Sequence, residues 1–180
     1  MSLDIRIFAS QNIEQDDYIT FDNMSRSFCS LIRSLDEEKS NCELRQIATI
    51  INVNIIILEK MTTWQIWQLQ YAGFDTKEKE EKFIQKYNIA CDNSWQNIDL
   101  VLNCFNSIHI RLMNDLSFET RIKYTLEWFS TFEYFKNFDK NVMFKERPMD
   151  KNFGWDLRNI IEFLTLAKER KMKLVRFQLD

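Results

Sequence analysis

Hydrophobic and polar positions along this 180-residue chain mostly follow helical spacing, with strand-like alternation at the two ends. Leu3, Ile5 and Ile7 alternate with Asp4 and Arg6, which predicts a strand over residues 3–8 with one buried face. An acidic loop at 11–18 leads to Thr20 and Asp22, either of which can cap a helix carrying Met24, Phe28, Leu31, Ile32 and Leu35. That helix should end near Asp36. A second amphipathic run from Asn41 puts Leu44, Ile47, Ala48 and Ile51 on one face and breaks at Asn52-Val53-Asn54, where Asn54 can cap a further short helix.

Trp64, Trp67, Leu69 and Tyr71 form an aromatic segment ending at Gly73, a natural helix terminus. Asp75 or Thr76 then caps a charged helix, 77–82 onward, anchored by Phe83, Ile84 and Tyr87. The clearest amphipathic helix carries Ile98, Val101, Leu102, Phe105, Ile108 and Leu112. Residues 118–135 are apolar nearly all round, which predicts a central buried helix. Val142-Met143-Phe144 reads as a short strand, 145–152 as a loop holding Pro148, and Gly154 as the residue before a last helix. Leu157, Ile160, Ile161, Leu164 and Ala167 give that helix its buried face, and residues 174–179 read as a closing strand.

Strand, helix, strand suggests a crossover, with residues 142–145 and 174–179 paired in parallel and residues 3–8 completing a small sheet. The expected fold is therefore α+β and predominantly helical, in one domain over 1–180; the alternative is an all-α bundle.

Composition sharpens this picture. Two glycines (Gly73, Gly154), one proline and one histidine leave little material for phosphate loops, dinucleotide crevices or multi-histidine metal sites. The 24 basic and 27 acidic side chains leave a net charge of −3, so no global field draws the chain to nucleic acid or an anionic membrane. Cys29, Cys42, Cys91 and Cys104 form no C-x-x-C pair and read as reduced core thiols. Without a secretory-type start or an apolar run of ~20 residues, the expected location is the cytoplasm, off the membrane.

Candidate chemistry is sparse. Glu43 to Asn54 resembles half of a DNA-binding helix-turn-helix, yet its second half would read Ile55-Ile56-Ile57-Leu58-Glu59, which favours helix packing over base reading. His109 lies beside the apolar stripe of its helix, which suits a structural role. Neither Asp16-Asp17 nor Glu80-Glu81 matches a calcium-loop or metalloprotease pattern. Trp64, Trp67 and Trp95 are candidate interface anchors. Residues 152–164 hold the most distinctive mixture, with Asp156 suited to a helix start and with Trp155 and Arg158 suited to partner contact if exposed.

A strand-like amino terminus, an Asp-rich turn, aromatic helices and a Phe153-Gly154-Trp155-Asp156-Leu157-Arg158 helix running into a strand together resemble bacterial immunity proteins. The resemblance implies a cytoplasmic, non-catalytic protein that neutralises a cognate toxin, with no cofactor, no metal and a protein partner. Asp16, Asp17, Trp64, Trp67, Trp155 and Arg158 are then the candidate contacts, the two aspartates as a phosphate-like track for a nuclease toxin. The alternatives are a viral helical modulator that holds a partner helix in a groove and, third, a small enzyme with an aromatic pocket.

Overall fold

A computed structural model describes residues 5–13, 18–36, 41–62, 74–125, 133–145 and 147–179. The fold is α+β with helices dominant. Strand β1 (Ile5–Ser10) is followed by β2 (Tyr18–Phe21), α1 (Arg26–Asp36), α2 (Glu43–Ile50), α3 (Ile56–Lys60), α4 (Lys77–Ser94) and β3 (Gln96–Asn97). Helix α5 (Ile98–Met113), a 3-10 turn (Phe118–Arg121), β4 (Met143–Phe144), β5 (Arg147–Lys151), α6 (Phe153–Glu169) and β6 (Leu174–Leu179) complete it.

The two ends of the chain meet in the middle of one sheet. β1 pairs antiparallel with β6 from Ile5 opposite Leu179 to Ser10 opposite Leu174, and the sheet order is β2-β1-β6-β3. Alternation turns Ile5, Ile7, Ala9, Val175 and Phe177 inward, where they join an apolar core with Phe28, Phe105, Leu157 and Leu164. This sheet overturns the all-α bundle.

Helix starts follow local chemistry. Thr76 caps α4 by accepting from Lys79 N at 3.4 Å, and Asn97 caps α5 by accepting from Asp99 N at 2.9 Å. The first helix departs from expectation, since Ser25 rather than Thr20 or Asp22 accepts from the Phe28 amide at 3.1 Å. Tyr18 to Phe21 pair with β1 instead, because Ile19 and Phe21 are half-buried at period two. Non-glycine residues end two helices: Asn52 (φ 53°) and Lys171 (φ 64°) take the left-handed position while Val53 N bonds Ala48 O and Met172 N bonds Ala167 O.

Two larger expectations fail. The parallel crossover is absent: β4 turns back onto β5 in a separate two-stranded antiparallel sheet, and β6 takes β1 as its antiparallel partner. Pro148 is accommodated in that sheet, where each strand has one partner only. The predicted helix over 118–135 is, in its described parts, a 3-10 turn at 118–121, extended backbone at Ile122 and turns over 133–139. Phe118, Tyr134, Phe135 and Phe138 are nonetheless all buried. Irregular turns that each drop one ring into the core imitate the composition of a buried helix.

Gly154 is the second residue of α6, not the residue before it. Its backbone runs against the turn segment: a Cβ there would lie 1.9 Å from Phe138 O. The position needs a missing side chain rather than a special φ.

Candidate protein-contact surface

Four of the six sequence candidates, Asp16, Asp17, Trp64 and Trp67, lie outside the described residues. Trp155 and Arg158 fall in the first two turns of α6, with Asn152 as the cap. Asn152 Oδ1 accepts from Trp155 N at 3.2 Å, and its Nδ2 donates to the carbonyls of Lys136, Asn137 and Lys140 at 3.1, 2.8 and 3.1 Å. Arg158 works on the same segment, donating to Phe138 O at 2.9 Å, Lys140 O at 2.8 Å and Asn141 Oδ1 at 2.6 Å. Its fork therefore fastens residues 138–141 to the helix. Trp155 is half-buried, with the Lys151 ammonium 5.3 Å from its ring centre.

Beneath them lies a polar knot that sequence reading missed. Asp156 is 0% exposed; its Oδ1 accepts from Ser25 N at 3.0 Å, and its Oδ2 accepts from the Ser25 hydroxyl and from Tyr134 Oη at 2.8 Å. Three segments far apart in sequence are tied at one carboxylate. Burial pushes its pKa from 3.8 up to about 6, against the pull of the Ser25 and Tyr134 hydrogen bonds and the Lys151 charge. Tyr134, wholly buried beside that carboxylate, is held well above the ordinary tyrosine range and stays a donor. A second buried carboxylate, Glu43, accepts from Thr125 N at 2.5 Å and Thr125 Oγ1 at 2.8 Å, fixing residue 125 to α2.

His109 rests 5.6 Å from the Phe138 ring with a buried Nε2 that has no hydrogen-bond partner. Burial first, and the Arg158 charge second, push its pKa down, so it remains neutral at neutral pH. Among the described residues no group of three or more His, Cys, Asp or Glu side chains could hold a metal ion, and no helix is long and apolar enough to cross a membrane.

Among the described residues, two depressions flank the turn from Asn52 to Ile57. One shallow depression of about 620 Å³ faces Arg45, Thr49 and Glu59; the other, about 440 Å³, faces Leu100, Asn103, Ser107 and Arg111 of α5. Ile56 and Leu100 are 53% and 58% exposed. Their rim is fixed: Arg45 Nε bonds Glu59 at 2.8 Å, and Arg111 Nη1 donates to Ile51 O at 2.9 Å. Cys104 forms part of the second lining, its Sγ 3.6 Å from Asn54 O, and burial pushes its thiol up to about 11, which makes it inert.

The signal for this surface was in the sequence. Ile55-Ile56-Ile57 is too continuous for a five-residue helix to bury, so one isoleucine had to face outward. Comparison of the chain with models of protein families, with curated proteins and with solved structures gives no match.

Proposed function

We propose that this chain is a non-catalytic binding protein of the immunity type, which neutralises a cognate bacterial toxin by forming a one-to-one complex with it. The observation that carries the reading is the surface around Asn52–Ile57: an apolar centre of Ile56 and Leu100, ringed by asparagine and serine side chains and by two arginines already held in place. An apolar centre inside a pre-organised polar rim is the composition of an interface core. Asp156 and Tyr134, both with raised pKa values, are bonded to each other away from solvent, where they hold the fold together and cannot meet a substrate. The helical-bundle modulator loses its structural basis once β1 and β6 lie in the core.

Co-expression with a toxic reading frame encoded beside this gene is the direct test. Protection by the intact chain is expected, and failure to protect against such a frame removes the proposal. Ile56→Asp combined with Leu100→Asp should leave stability within about 0.5 kcal/mol, since both side chains are exposed. The same variant should weaken the complex at least tenfold, read by calorimetric titration against the inactivated toxin; unchanged affinity would place the interface elsewhere. Replacing Asp16 and Asp17 by lysine should reduce protection against a nuclease toxin, and full protection would take that acidic stretch out of the interface.

A further inference from the structure

Arg176 stands on β6 opposite Phe8 of β1, on the face of the sheet turned away from the core. Its neighbours Val175 and Phe177 point inward and are buried. The guanidinium carbon lies 4.6 Å from the centre of the Trp95 ring and 6.0 Å from that of Phe8, so an indole and a phenyl ring line its seat. Tyr18 packs on Phe8 with ring centres 5.1 Å apart. This is a half-buried cation set among aromatic rings.

A charge in that setting normally has a counter-charge. Among the described residues Arg176 makes no ion pair with a carboxylate: its Nη2 donates to the neutral Gln178 Oε1 at 3.0 Å, and its Nε is buried without a hydrogen-bond partner. Nε and Nη2 form one edge of the planar fork, the edge that takes the two oxygens of a carboxylate side by side. Gln178 takes one of those places with an amide oxygen. The positions of β1 and β6 on this face are Arg6, Phe8, Ser10, Leu174, Arg176 and Gln178, of which Phe8 and Ser10 are buried; they include a second cation and no acid.

We propose that this outer face of the sheet is a second contact surface, on which Arg176 receives the carboxylate of an aspartate or glutamate side chain from the protein partner. The incoming group displaces the Gln178 oxygen and takes both donors of the edge, while Trp95 and Phe8 shield the pair from water. A carboxylate suits the seat because its two oxygens match the two donors of one edge, whereas a phosphate is ordinarily gripped by several donors at once. The inference rests on the binding reading above and adds one acidic side chain at the partner's contact.

The experiment follows the Arg176 Nε–H and Trp95 indole resonances of the full chain by NMR while acetyl-Gly-Glu-Gly-amide is added, with acetyl-Gly-Gln-Gly-amide and inorganic phosphate in parallel. A saturable shift at both groups with the glutamate peptide is expected, with none from the glutamine peptide. Arg176→Lys should weaken it at least tenfold, because an ammonium lacks the two-donor edge. Gln178→Ala should strengthen it and serves as the second variant if Arg176→Lys does not fold. No shift with the glutamate peptide, equal shifts with both peptides, or tighter binding of phosphate would each overturn the assignment. The titration uses no toxin, so its failure is separate from a failure to protect in co-expression.

Discussion

Gly154→Ala is expected to destabilise this protein by about 1–4 kcal/mol net, although alanine is the better helix former by about 1 kcal/mol. The methyl group would arrive 1.9 Å from the carbonyl oxygen and 2.8 Å from the carbonyl carbon of Phe138, both of them backbone atoms. Backbone can retreat only by moving its whole segment, and this segment is pinned. Asn152 holds the carbonyls of Lys136, Asn137 and Lys140, Arg158 holds those of Phe138 and Lys140, and Phe153 N donates to Tyr134 O at 3.0 Å. The Phe138 ring is itself buried against Phe118 and Phe153 at centroid distances of 5.6 and 5.9 Å. Overpacking of about 1–3 kcal/mol therefore combines with the loss of one or two hydrogen bonds at about 1 kcal/mol each. Thermal unfolding followed by circular dichroism should show a midpoint roughly 10 °C lower. An unchanged or raised midpoint would mean that propensity governs the position and that the close approach to Phe138 is not a constraint.

That glycine shows where sequence reading stops. Helical periodicity recovered α1, α2, α5 and α6 because each buries one face, caps and i,i+4 charge pairs recovered the solvated α4, and alternation recovered β1 and β6 because Ile5, Ile7, Val175 and Phe177 point the same way. Pairing was not legible. Nothing in Val142 to Phe144 distinguishes a strand that pairs across a crossover from one that turns back on residues 147–151, since two paired positions suffice for the hairpin. Residues 133–139 misled for a different reason: composition reports that Tyr134, Phe135 and Phe138 are buried, while the left-handed backbone at Glu133 and Asn137 (φ 52° and 51°) leaves no trace in hydrophobic spacing.

The contacts were legible in part. Arg158 was conspicuous as a cation in an apolar helix, but its task at the 138–141 carbonyls depends on a segment 17 to 20 residues upstream. Arg176 was inconspicuous, one of several basic residues near the end of the chain, and became distinctive only when β6 put it opposite Phe8 and beside Trp95. The same holds for Asp156. As an acid in a first helical turn it needs no explanation; as the common acceptor for Ser25 and Tyr134 it joins residues 131 and 22 positions away.

Asp156 also sets the second large effect, a pH dependence of unusual sign. Its folded pKa is raised, from 3.8 to about 6, because burial penalises the anion more than its three donors and Lys151 favour it. Between those values the folded chain binds the proton and the unfolded chain does not. Stability from this group is therefore fully present below pH 3.8 and is lost as pH rises through about 6. The shift corresponds to about 3 kcal/mol, opposite in direction to ordinary acid denaturation. Asp156→Asn isolates it. An amide occupies the same volume and stays neutral, and the Ser25 and Tyr134 hydroxyls can turn to accept from its nitrogen, as they would from a protonated acid. Urea unfolding at pH 4, 5, 6 and 7 should show the native chain losing stability relative to Asp156→Asn by about 2 kcal/mol across the series, with most of the change complete by pH 6. Subtracting the variant removes the titration of every other carboxylate, including Asp115, which its hydrogen bond from Ser117 and the Arg121 charge hold below the usual range. A difference that stays flat, or that grows toward acid, would show that the donors outweigh burial and that the carboxylate is ionised without penalty. If the predicted slope appears, the knot is a junction that the fold keeps despite its energetic cost at neutral pH. Its value then lies in specificity: a single acceptor that only the start of α1 and the Tyr134 turn together can satisfy fixes where both must dock on α6.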